Sequence, residues 1–156
     1  MTTEFKKIVV GVDGSSASRQ ALRWAVDLAT PTGATVDAVA AWGHPAGFEW
    51  TVRTTNYGLV PLPERTTREE EQDAAQQTLA DMADEIGPTQ AGLAQRPVEG
   101  NPTDVLIEAS KAADLLVLGR HGHNTVRDAL LGSVTNHCIQ HAQCPVVVVP
   151  PESTAD

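Results

Sequence analysis

Leu115-Leu116-Val117-Leu118-Gly119-Arg120-His121-Gly122, then a nine-residue spacer and Gly132-Ser133, is the stretch that discloses the fold of this chain. The uninterrupted apolar run over 115–118 has the pattern of a strand buried on both faces. Glycines begin where it stops. Gly119 and Gly122 lack Cβ atoms, so they can take φ > 0 and let main-chain N–H groups approach an anion. Gly132-Ser133 opens a helix, with Ser133 expected as its N-cap, and the free N–H groups and dipole there favour a phosphate. A nucleotide is the simplest ligand for such a surface.

The rest of the chain repeats this strand, turn and helix pattern. Lys7-Ile8-Val9-Val10-Gly11-Val12 reads as a buried strand ending in the turn Asp13-Gly14-Ser15-Ser16, and the next helix carries Ala21, Leu22, Ala25, Val26 and Ala29 before Pro31-Thr32-Gly33. Thr35 to Trp42 is a second strand. Gly43 to Pro63 is expected to be a variable loop or lid. Two overlapping capping boxes, Thr66 with Glu69 and Thr67 with Glu70, precede a helix with the stripe Ala75, Leu79, Met82 and Ile86, which Gly87-Pro88 ends. Leu93 to Val98 is a short strand, placed near an edge because Pro97 lacks a ladder donor. Asn101-Pro102 forms an N-cap and N1 pair for the helix through Val105, Leu106 and Ala109. After the glycine stretch, Leu131, Val134, Cys138 and Ala142 form a helical stripe, and Val146 to Val149 close a last strand.

Five strands alternating with four helices imply an α/β fold, a single doubly wound parallel sheet of Rossmann-like type. Residues 1–150 read as one domain carrying the 43–63 insert, with 151–156 as a C-terminal tail. In such sheets ligands lie beyond the strand carboxyl ends where strand order reverses. The turn at Gly11, Val12 and Asp13 and the turn at Gly119, Arg120, His121 and Gly122 meet there if their strands are neighbours.

A formal charge of -9 repels nucleic-acid backbones and anionic lipid surfaces, so neither is expected as a partner. No run approaches a membrane span, and a cytoplasmic location is expected. Cys138 and Cys144 lack CxxC spacing and read as buried small apolar residues. His137 and His141, four apart, lack the accompanying glutamate of a zinc motif, and no protein metal site is assigned. Nothing matches a Walker A loop, and the first turn lacks the three-glycine dinucleotide fingerprint.

With Ile8-Val9-Val10-Gly11-Val12-Asp13-Gly14-Ser15, Gly100-Asn101-Pro102, the spacing Gly119-x-x-Gly122-x9-Gly132-Ser133, and Cys144-Pro145-Val146-Val147-Val148, the chain resembles the universal stress protein family in its ATP-binding branch. The resemblance implies strand order 3-2-1-4-5 and ATP between strands one and four. It puts Asp13 and the main chain near Ala40 and Ala41 on the adenine side. Gly119, Gly122, Gly132, Ser133 and Val134 fall on the ribose and phosphate side, and a homodimer pairs through the last strand, Val146, Val147, Val148 and Val149. An uncapped edge of valines needs covering in any case. Arg120 and the charged spacer with Arg127 and Asp128 depart from the usual family pattern. Arg120 and Arg127 are read either as phosphate clamps or as solvated charges. His121 and His123 flank Gly122, and protonation beside phosphates would make binding pH-sensitive.

Hydrolysis needs a positioned water and positive charge at the γ-phosphate, and no catalytic residue is assigned. The expected activity is ATP binding in a stress response, with Mg²⁺ or Mn²⁺ held through the phosphates and slow or absent turnover. The alternatives are a weak ATPase, a cyclic AMP binder, and a nucleotide-free dimeric interaction module of the same fold.

Overall fold

The computed structural model describes residues 4–43, 52–55, 58–61, 68–120 and 131–150, with backbone alone for 52–55 and 58–61. The elements run β1 (Lys7–Gly11), α1 (Ser16–Thr32), β2 (Thr35–Trp42), β3 (Val52–Thr55), β4 (Gly58–Pro61), α2 (Arg68–Ile86), β5 (Gly92–Glu99), α3 (Pro102–Ser110), β6 (Leu115–Gly119), α4 (Ser133–His141) and β7 (Val146–Val149). Five parallel strands form one sheet in the order β5-β2-β1-β6-β7. Counted along that sheet the order is 3-2-1-4-5, as expected.

Two apolar layers sandwich the sheet, because β1 over 8–10 and β6 over 115–118 are apolar on both faces. Ile8, Val9 and Val10 of β1 and Leu116 and Val117 of β6 are at most 1% exposed. On one face Ile8, Val10, Val36 and Val117 pack with Leu22 and Val26 of α1 and Leu79 and Met82 of α2. On the other, Val9, Val39, Leu116 and Leu118 pack with Val105 and Leu106 of α3 and Cys138 of α4. The chain first moves from β1 through β2 to β5, then crosses to β6 and β7. With one handedness of crossover throughout, that reversal puts the later helices on the opposite face.

Local signals place most boundaries. Ser15 Oγ accepts the N–H of Ser18 at the start of α1, and Gly33 at φ 74° ends it with its N–H on the carbonyl of Ala29. Asn101 Oδ1 caps α3 by accepting the N–H of Thr103, with Pro102 next. Pro97 lies on edge strand β5. Gly100 N–H donates to Trp42 O, so by the two-residue period Pro97 faces outward, where its missing donor breaks no ladder bond.

Several expectations change. The 43–63 insert is not all loop, because Val52–Thr55 pairs antiparallel with Gly58–Pro61 in a separate two-stranded sheet. The stripe assigned to α4 starts too early, since Leu131 precedes the helix and is 39% exposed. Cys138 is buried as expected, whereas Cys144 is half-buried. The capping threonines Thr66 and Thr67 lie outside the described residues. Apolar β2 also buries a carboxylate: Asp37 lies 2.9 Å from Arg96 Nε and 3.4 Å from Lys7 Nζ, so cations on the two flanking strands offset its desolvation.

Candidate functional site

Strand order reverses between β1 and β6, and their carboxyl ends form the candidate site. Beyond β1 the chain turns sharply through Gly14, at φ 82°. Asp13 is exposed, with Oδ1 accepting the N–H of Ser15 at 2.9 Å and its own N–H donating to Ser18 Oγ at 3.3 Å. Ser18 Oγ in turn donates to Ser15 O. Ser15, not Asp13, is thus the helix cap, and one Asp13 carboxylate oxygen is anchored to the turn. Gly11 and Val12 serve differently. The Cβ position of Gly11 is closed by Leu118 and Leu106, while Val12 is in the core and donates its N–H to Val39 O.

That last bond also separates Ala40 from Ala41. Val39 presents its carbonyl to β1, and the polar groups of Ala41, two residues on, turn the same way past the end of β1. Ala40 presents its backbone to β5 instead, and its side chain is in the core. Of the two, only Ala41 has main-chain geometry suited to reading a ligand edge in the cleft.

At the end of β6, Gly119 does not take positive φ, contrary to the conformational expectation. Its missing side chain has a packing cause: a Cβ would stand 2.7 Å from the carbonyl carbon of Ala17 and 2.8 Å from its oxygen. Gly119 O accepts the hydroxyl of Thr135 at 2.8 Å. Arg120 N–H donates to Val149 O and Arg120 O accepts the N–H of Gly132, so the residue after β6 is tied both to β7 and to the start of α4. His121, Gly122, His123, Arg127 and Asp128 lie outside the described residues.

Ser133 is not the N-cap of α4. Gly132 holds that position at φ -61° and ψ 155°, without a side-chain cap bond, and Ser133 is the first helical residue. Glycine supplies no oxygen to the first-turn N–H groups, which therefore suit an external anion. Val134, next in the turn, is half-buried against the second core layer. Sequence reasoning missed Ser18 and Thr135. Each is a hydroxyl residue three positions after an N-cap, a placement legible only once the caps are located.

Titratable groups away from the cleft have structural causes. Backbone N–H groups of Lys6 and Lys7 donate to Asp114 Oδ2 at 2.8 and 2.9 Å and lower its carboxyl pKa. Burial raises the Cys138 thiol to about 11, and burial with the nearby Asp114 charge raises that of Cys144. His137 Nδ1 lies 2.8 Å from Ser133 O in its own helix. Among the described residues no three histidine, cysteine or acidic side chains are grouped to hold a metal. No described helix is long and apolar enough to cross a membrane.

A doubly wound parallel sheet with a glycine-bounded cleft at its switch point defines a Rossmann-like α/β domain. Residues 4–150 match the universal stress protein family, and the chain belongs to it. It is 33% identical to universal stress protein MJ0531 of Methanocaldococcus jannaschii, over 93% of this chain and 82% of that protein. Of a universal stress protein of Mycolicibacterium smegmatis, 31% identical over 92% of this chain, it spans only 45%. The structure of UspA from Lactobacillus plantarum has the same fold, with TM-score 0.73, 22% identity and coverage of 95% of this chain and 99% of that one. A universal stress protein crystallised in complex with cAMP has TM-score 0.69 and 25% identity, with coverage of 96% and 100%.

Proposed function

We propose that this chain binds an adenine nucleotide, ATP in the first instance, in the cleft between β1 and β6, as a structural or regulatory ligand with slow or no hydrolysis. The observation carrying this reading is the first turn of α4, which has no side-chain cap and adjoins the end of β6 where strand order reverses. Phosphates would meet the N–H groups at Ser133 and Val134, since that of Gly132 is held by Arg120 O, and the base would lie toward Asp13 and the main chain of Ala41. Divalent Mg²⁺ or Mn²⁺ would be held through the phosphates. Asp13 already gives one oxygen to Ser15 N–H, which supports a binding role over that of a freely placed base. The cAMP complex of a relative favours cyclic AMP as the second reading.

Dimerisation through β7 belongs to the same proposal. Val149 and Pro145 direct their carbonyls to β6, so Val146 and Val148 turn their backbone groups outward on an edge that, unlike β5, contains no proline within the strand. A native mass spectrum of freshly purified protein, followed by calorimetric titration with ATP and with cAMP, tests both parts. A dimer that carries or takes up ATP without releasing ADP is expected. A chain that ignores both nucleotides would overturn the binding reading and favour an interaction module; steady ADP release would move the assignment to an ATPase.

A further inference from the structure

Parallel strands β1 and β6 part abruptly. Their pairing runs Ile8 with Leu115, Val9 with Leu116 and Val10 with Val117, and goes no further. Val12 N–H bonds to β2, so the odd residues of β1 face β6; Leu116 N–H bonds to Pro145 beside β7, so the odd residues of β6 face β1. Extended past Gly11 in that register, the ladder would give Gly119 N–H to Gly11 O, a rung the pairing already lacks, and beyond it Asp13 N–H to Gly119 O. Both groups are engaged elsewhere. Asp13 N–H donates to Ser18 Oγ at 3.3 Å, and Gly119 O accepts from Thr135 Oγ1 at 2.8 Å.

The two hydroxyls are equivalent by position. Ser15 caps α1 and Gly132 caps α4, so Ser18 and Thr135 each stand third in a helix flanking the cleft, one on each face of the sheet. Both hydroxyl residues are buried, at 4% and 5% exposure, and their bonds to Asp13 N–H and Gly119 O are part-buried, so a backbone group that lost its hydroxyl would gain by finding another partner. We propose that Ser18 and Thr135 are positioning residues that divert the last ladder bond between β1 and β6 and so hold the ligand cleft open. The gap they maintain leaves the Ala41 main chain and the first turn of α4 beside the same opening. The proposal rests on the nucleotide reading for its ligand, but the diverted bond has its own readout.

The test compares Ser18→Ala, Thr135→Val and their double variant with Ser18→Thr and Thr135→Ser, which keep a hydroxyl. ATP affinity is read by calorimetry, the unfolding midpoint without nucleotide by circular dichroism, and the Asp13 N to Gly119 carbonyl bond by through-hydrogen-bond coupling in NMR. The double variant is expected to gain that coupling and to bind ATP about tenfold or more weakly, a change equal to one ordinary hydrogen bond or slightly more. The hydroxyl-retaining variants should bind within about twofold of the parent, well inside that difference. Unchanged affinity in the double variant would overturn the proposal. So would an affinity loss that follows the unfolding midpoint and is not restored by Thr135→Ser. If the parent itself takes up no ATP, the nucleotide reading fails while the coupling still decides: its appearance upholds the diverted bond and its absence overturns it. Should the double variant not fold, the single variants carry the same comparison.

Discussion

Gly119 faces the backbone of Ala17 so closely that a Cβ on it would lie 2.7 Å from the Ala17 carbonyl carbon. A backbone group in the first turn of α1 cannot swing aside as a side chain can. Gly119→Ala should therefore destabilise the fold by about 1–3 kcal/mol, the usual range for overpacking. Gly11→Ala meets only the ends of Leu118 and Leu106, at 2.7 and 2.8 Å, and should cost less. Urea unfolding of the two variants checks the order; a larger loss for Gly11→Ala would refute the backbone account.

Removal of both cations around Asp37 should cost more than removal of the carboxylate. The Asp37 side chain is 7% exposed, whereas Lys7 and Arg96 are 36% and 57% exposed and can hydrate when left alone. Lys7→Met with Arg96→Ala leaves a buried charge unpaired, with an expected cost of about 3 kcal/mol or more. Asp37→Asn should lose less. Denaturant titration of the three proteins provides the comparison.

Acid should weaken the anchorage of β1. The Lys6 and Lys7 N–H groups favour ionised Asp114, so its folded pKa lies below the unfolded value. The associated stability is present above the ordinary carboxylate range and is lost as pH falls through the folded pKa. Asp114→Asn should be the less stable protein near neutrality and should converge on the parent in acid. Unfolding free energy measured from neutral to acid pH reads this directly, and parallel curves would contradict it.

Neither thiol should be reactive in the native protein. Cys138 is fully buried and its pKa is raised to about 11, and that of Cys144 is raised as well, so little thiolate exists near neutrality. A colourimetric thiol titration should register both cysteines promptly only after denaturation. Fast native modification of Cys138 would show that the second core layer opens.

The outward N–H of Val148 provides a test of the dimer. Val148→Pro removes no bond to β6, because Val147 and Val149 face that strand. It should leave the fold intact and convert a dimer to a monomer in sedimentation analysis. A variant that remains dimeric would place the contact elsewhere.

The elements themselves were legible because their signals are local. Apolar runs at 8–10 and 115–118, the stripe Ala75, Leu79 and Met82, the turn glycines Gly33 and Gly87, and the Asn101-Pro102 pair act over a few residues, and the observed elements follow them. Strand order followed from the family resemblance and satisfies the crossover rule. The glycine spacing pointed to the cleft, although Gly122 lies outside the described residues.

Tertiary structure decided what depends on residues far apart in the chain. Gly119 was chosen for its possible φ, but the contact that requires glycine is with Ala17, on a helix roughly a hundred residues earlier. Asp37 looked like an exception in an apolar strand until Lys7 and Arg96 were brought beside it by register. Ser133 was the natural cap by residue type, yet the backbone puts the cap at Gly132 and leaves Thr135 to reach β6. Periodicity and turn chemistry specify which face a residue presents. Only packing across elements specifies which atom it meets, and in this cleft that meeting diverts a strand bond to two helix hydroxyls.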